Sequence, residues 1–92
     1  MVEGIDSFRF SKKFRKEYRK LPDTIQRTFN DKLPLMLNDI LHPSLRIERI
    51  QGTKDKWEGS VTMKYRFTFE IQDKTILFRT IGTHDILNKI IS

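Results

Sequence analysis

The chain has 92 residues, 37% of them hydrophobic, with seven Phe, two Tyr, one Trp and a formal net charge of +6. That length holds one domain that buries roughly 60–65% of its unfolded surface, and the aromatic content excludes a disordered tail. The lack of cysteine excludes disulfide and thiolate chemistry, and no apolar run reaches the ~18 residues of a membrane helix.

Ile5, Phe8 and Phe10 suggest a short first strand or an extended lead-in. Ser11 can cap a following helix, in which Phe10, Phe14, Tyr18 and Leu21 recur at spacings of four, four and three and form one apolar stripe. Six basic side chains and one acid, Glu17, fill residues 12–20. They form a solvated helix face or a phosphate-contacting patch. Leu21-Pro22-Asp23 separates this helix from a second of roughly 18 residues by pattern, marked by Ile25, Phe29, Leu33, Met36, Leu37 and Ile40. Pro34 lies inside it and predicts a kink or break near 30–34. The two helices should form an antiparallel hairpin on the sheet.

His42-Pro43 ends the helix, and Leu45 and Ile47 then alternate with Arg46 and Glu48, as in a half-buried strand. Residues 51–56 read as a turn with two exposed lysines, Lys54 and Lys56, and Trp57 begins the next strand. In YRFTFEI, Phe67, Phe69 and Ile71 alternate with Arg66, Thr68 and Glu70. Gln72-Asp73-Lys74 suits a hairpin turn. Residues 75–81 carry apolar side chains in both phases, as a strand covered on both faces would, and Gly82 ends that strand before Thr83-His84. Ile86, Leu87, Ile90 and Ile91 predict a short C-terminal helix or arm. The fold class is α+β: a helical hairpin on one face of a small antiparallel sheet, in a single domain over residues 1–92.

The basic balance, with a pI near 9.8, favours polyanionic partners. The two histidines lie 42 positions apart with no cysteine between them, so no metal constellation and no cofactor is expected. The glycines are too dispersed for a phosphate loop, and no serine sits in a nucleophile-elbow context. What remains is Glu48, Lys54, Lys56, Arg66, Arg79 and His84. This set suits RNA cleavage by the adjacent 2′-hydroxyl, which needs a base, an acid and fixed cations around the phosphorane. Glu48 can act as base. His84, with an ordinary pKa near ~6.5, can act as acid. Arg66 can grip the phosphate with two parallel hydrogen bonds.

The motifs say more. HPSLR, Trp57, Tyr65-Arg66 with Phe69, and Gly82-Thr83-His84, together with a basic first helix ending in KLP, resemble the RelE/ParE superfamily of toxin–antitoxin toxins. The resemblance covers nearly the whole chain, and the GTH ending is most similar to the YafQ branch of RelE-type ribonucleases. It implies a RelE-like fold and a metal-independent, ribosome-dependent mRNA endoribonuclease that inhibits translation. It also implies a cytoplasmic location and an acidic antitoxin, with a heterotetramer as one possible assembly. It gives His84 the catalytic-histidine position, Arg66 the phosphate-binding arginine, and Glu48 the place of a histidine thought to act as base. Arg46, Lys54, Lys56, Arg79 and Tyr65 are then RNA-binding candidates, Tyr65 or Trp57 through base stacking. The chain departs from the pattern where RelE places lysines, here Glu58 and Ser60, and at Val61 and Asn88. A gyrase inhibitor of ParE type, or an inert antitoxin-binding relative, remains the alternative.

Overall fold

A computed structural model describes residues 4–83. His84 and the expected C-terminal helix or arm lie outside the described residues.

The aromatic spacing of the first half produces the expected helices. Ser7–Phe10 forms strand β1, Lys12–Arg19 helix α1 and Asp23–Asn38 helix α2. The Ser11 hydroxyl caps α1 by accepting from the Phe14 N–H at 3.0 Å, and it donates to the Arg79 carbonyl at 2.8 Å. One side chain thus starts a helix and ties it to the far end of the chain. Lys16 and Arg19 occupy the last turn of α1, where their charge suits the dipole. Gln26 Nε2 donates to the Tyr18 carbonyl, and the Phe14 and Phe29 rings lie 5.5 Å apart, so α2 runs back along α1. α2 continues through Pro34 without the expected break. Pro34 and Asn30 are both exposed, so solvent reaches the carbonyl that loses its N–H partner, and Leu33 and Met36 keep their packing on either side.

The strand expected around Leu45–Ile47 is much shorter. Pro43–Leu45 forms a single 3-10 turn, Arg46 takes a left-handed conformation (φ 48°, ψ 50°), and only Glu48–Arg49 pairs, as β2. The His42 Nδ1 accepts from the Ser44 N–H and stabilises that turn in place of an extended chain. Three longer strands follow: β3 (Lys56–Ser60), β4 (Tyr65–Gln72) and β5 (Thr75–Thr83).

The five strands form one sheet in the order β1-β5-β4-β3-β2. It is antiparallel except for β1, which pairs parallel to β5 with Phe10 opposite Phe78. On the inner face, Phe67, Phe69 and Phe78 meet Phe14 and Phe29 of the helices, all essentially inaccessible to solvent. Phe29 packs edge-on against Phe67 and Phe78 with centroids 5.4 and 5.3 Å away, a favoured aromatic geometry. Gly59 on β3 faces this cluster, and a Cβ there would collide with the Phe67 ring.

One reading of the last strand needs correction, and its apolar pattern has a further cause. β5 continues through Gly82, which pairs with Arg66, to Thr83 opposite Tyr65. Its apolar residues occupy both phases because of a β-bulge. Phe78 pairs with Phe69 but Thr80 pairs with Thr68, leaving Arg79 as the extra residue. Ile76 and Phe78 therefore face inward before the bulge and Ile81 after it. Leu77 alone among the apolar residues of β5 takes the outer phase.

Candidate functional site

Alternation along β3 and β4 sends a second set of side chains to the outer face, away from the helices. Cross-strand register arranges them in rows. Ser60, Arg66 and Gly82 form one row across β3, β4 and β5, and Glu48, Glu58, Thr68 and Thr80 form the next across β2 to β5. Lys56 and Glu70 begin a third. Successive rows lie two residues apart along a strand, roughly 7 Å.

Polar groups are buried here, and most are paired. Thr68 and Thr80 share a hydroxyl–hydroxyl hydrogen bond of 2.6 Å at 5% and 4% exposure. Arg79, re-aimed by the bulge, pairs with the Glu70 carboxylate. Arg66 Nη1 donates to Glu58 Oε1 at 3.1 Å, with the two side chains 26% and 19% exposed. Among the described residues two atoms are exceptions: Ser60 Oγ and Arg66 Nε are buried without a hydrogen-bond partner. They belong to residues directly opposite each other in the first row.

Two clefts flank these rows. One of about 310 Å³ lies beside the third row and includes Lys13, Thr53, Lys56, Thr68, Arg79 and Thr80 in its lining. The other, about 190 Å³, is lined by Ser44, Arg46, Ser60, Val61, Thr62 and Met63. The outer face therefore offers cationic side chains on both sides of Arg66. Among the described residues, no group of three or more His, Cys, Asp or Glu comes together to hold a metal ion.

The structure brings Arg66, Glu48 and Arg46 to one region of the outer face, and Lys56 and Arg79 to a common cleft. Glu48 is exposed and sits opposite Glu58, one strand further from Arg66 than Glu58 is. Lys54 is exposed on the turn as expected, whereas Lys56 is half-buried and is the first residue of β3. Tyr65, a base-stacking candidate by sequence, is half-buried and in the opposite phase of β4 from Arg66. It packs against the aromatic core, because consecutive strand residues point to opposite faces. Trp57 is likewise an inner-face residue, with the Arg49 guanidinium 5.9 Å from its ring centroid. His84 lies outside the described residues.

Sequence reasoning treated Glu58 and Ser60 only as departures, and placed Lys13 in the basic run of residues 12–20 without joining it to Lys56 and Arg79. The alternation of Trp57-Glu58-Gly59-Ser60 was the available signal: an inward tryptophan and glycine require an outward glutamate and serine.

Behind the outer face, α1 is fastened to β5. Glu17 Oε1 accepts from the Ile81 N–H at 3.2 Å. Burial raises the Glu17 carboxyl above its ordinary pKa; this hydrogen bond and the charges of Lys13 and Lys20 act in the opposite direction.

Solved structures share this architecture across nearly its whole length. The RelE toxin in the RelB–RelE antitoxin–toxin complex of Methanococcus jannaschii aligns with 91% of this chain and 99% of its own, at a TM-score of 0.76 and 21% identity. A chain of the DinJ–YafQ toxin–antitoxin complex of E. coli aligns with 92% of this chain and 98% of its own, at a TM-score of 0.75 and 19% identity. The fold is that of the RelE-type toxins. YoeB from Staphylococcus aureus shares it at a TM-score of 0.73 and 13% identity, over 85% of this chain and 95% of its own. No family model and no curated protein matches the sequence. In this RelE-type fold the sheet presents its outer face free of both helices, and Arg66 lies on that face.

Proposed function

We propose that this chain is the toxin of a toxin–antitoxin pair, a metal-independent endoribonuclease that cuts mRNA on the ribosome. The observation that carries the reading is the half-buried Arg66 guanidinium, whose unpartnered Nε lies on the same cross-strand pair as the unpartnered Ser60 hydroxyl. Such a pair of donors calls for an anionic oxygen.

In the reaction, Glu48 takes the proton from the 2′-hydroxyl and the 2′-oxygen bonds to phosphorus. The bond from phosphorus to the 5′-oxygen breaks, and His84 protonates that oxygen. The products are a 2′,3′-cyclic phosphate and a 5′-hydroxyl. Arg66 holds the non-bridging oxygens as negative charge grows. Arg46 extends the path of RNA to one side, and Lys56 and Arg79 extend it to the other. Lys54 contacts phosphate from its turn. The exposed lysines and arginines of α1 supply sequence-independent attraction to ribosomal RNA.

The partner in the resting cell is an acidic antitoxin. A cleft of about 400 Å³ between the helices, floored by Phe14 and Phe29 and edged by Arg15 and Arg19, suits an amphipathic acidic segment. The active protein works in the cytoplasm, and the neutralised complex forms a heterotetramer.

Expression of the chain should arrest growth and leave mRNA fragments with 5′-hydroxyl ends. His84→Ala and Arg66→Ala should each relieve both effects while remaining soluble. Growth arrest with intact mRNA and induced DNA-damage signalling would overturn the nuclease reading in favour of gyrase inhibition.

A further inference from the structure

Arg66 is already engaged. Its Nη1 donates to Glu58 Oε1 at 3.1 Å, while its Nε is buried and finds no acceptor. Ser60, opposite it in register, is 5% exposed and its Oγ also finds no partner. Nε can only donate, and a serine hydroxyl can donate as well. The row is therefore short of acceptor oxygens at the place where one carboxylate already contacts the arginine. Glu58 is also crowded from behind: Glu48 faces it directly across β2 and β3. Like charges in opposed positions repel, so Glu58 sits between a repelling carboxylate and an attracting guanidinium.

We propose that Glu58 is an internal stand-in for the RNA phosphate, holding Arg66 in the RNA-free protein and yielding it to the incoming phosphate, whose oxygen Ser60 Oγ and Arg66 Nε then receive. This rests on the RNA-binding reading given above. A phosphodiester presents two non-bridging oxygens that match the two-pronged geometry of a guanidinium. It satisfies the two unpaired donors, which Glu58 in its observed position does not. The exchange costs affinity, because a carboxylate must give up its partner and stay close to a second anion. Glu58 therefore limits how tightly RNA binds, and Ser60 helps to select phosphate over carboxylate.

The two residues should act with opposite signs. Binding of a 2′-O-methyl oligoribonucleotide, which cannot be cleaved, is measured at one fixed salt concentration. Glu58→Gln keeps the shape and removes the charge, and should tighten binding about three- to tenfold. In an Arg66→Ala background the same change should matter less than about twofold, since the competition is for that guanidinium. Ser60→Ala should weaken binding about three- to tenfold without lowering Tm, because the hydroxyl it deletes has no partner in the folded protein. Glu58→Ala is the second variant should the glutamine form a new bond to Arg66.

The proposal is overturned if Glu58→Gln and Glu58→Ala leave affinity unchanged or weaker, or if the gain persists without Arg66. The pair is then structural. The RNA-binding reading fails separately if the wild-type protein shows no salt-dependent binding that Arg66→Ala weakens, and the proposal falls with it.

Discussion

The two faces of the sheet bury side chains to opposite ends. The inner face is centred on aromatic rings from β4, β5 and both helices, packed with aliphatic side chains such as Met36, Ile76 and Ile81. Among the described residues, the outer face buries hydroxyls and two unpaired polar atoms, and carries a half-buried Arg66–Glu58 pair and an Arg79–Glu70 pair whose arginine is exposed. Rings gain free energy from leaving water, in proportion to their area. Polar groups gain almost nothing from burial and lose heavily if unpaired. The inner face holds the domain together, and the outer face keeps charge and unsatisfied hydrogen-bonding capacity next to a surface cleft.

The sharpest way to break this contrast is on the inner side. Phe78→Ala, which removes a fully buried ring at the centre of the cluster, should lower stability by about 3–5 kcal/mol in denaturant titrations. Gly59→Ala should cost about 1–3 kcal/mol, since the added methyl meets the Phe67 ring and lies 2.9 Å from Ile47 Cδ1. A mild effect there would mean that β3 is not seated on the core as described.

On the outer side the expected costs are smaller and depend on pairing. Thr80→Val strands the Thr68 hydroxyl and should cost about 1–3 kcal/mol, while changing both to Val should recover most of that loss. Arg66→Ala should change stability by no more than about 1 kcal/mol, as a partly exposed ion pair does. If Arg66 serves RNA cleavage, the same variant should lose activity by about a hundredfold or more. A large stability loss with intact activity would reverse the roles assigned to the two faces.

The smallest effect concerns Glu17. Burial raises its folded pKa above the unfolded value. A carboxyl shifted upward favours folding in its protonated form. That contribution is present below the unfolded pKa and is lost as pH rises through the folded one. Glu17→Gln should therefore raise Tm slightly at neutral pH, and the difference should vanish toward acid. A difference that instead grew in acid would contradict the burial of this carboxyl.

Much of this arrangement was legible in residue spacing. The stripe through Phe14 and Tyr18 marked α1, and the alternation in YRFTFEI marked β4 and its two faces. Other features depended on partners distant in sequence. Nothing near Ser7–Phe10 announces a parallel partner 68 residues away. The bulge at Arg79 spreads the apolar residues of β5 over both phases of the sequence, although all but Leu77 face inward. Pro34 suggested a break because local propensity ignores the packing on either side of it. At the candidate site, Arg66 was visible as a cation on the polar phase. Its engagement by Glu58 depends on the register of β3 against β4, which no single strand encodes.

The pairing of β1 with β5 also bears on how the molecule is made. Strand β1 is made before the rest of the sheet, but among the described residues its hydrogen-bonding neighbour is β5, the last of the five strands in sequence. Helices α1 and α2 can form from local contacts, yet the ring cluster lacks Phe78 until a strand well downstream of both helices is released. Closing so long a loop carries a large entropic cost that only the finished sheet returns. The nascent chain thus reaches its folded form late, with residue 78 rather than residue 8 deciding when the core closes.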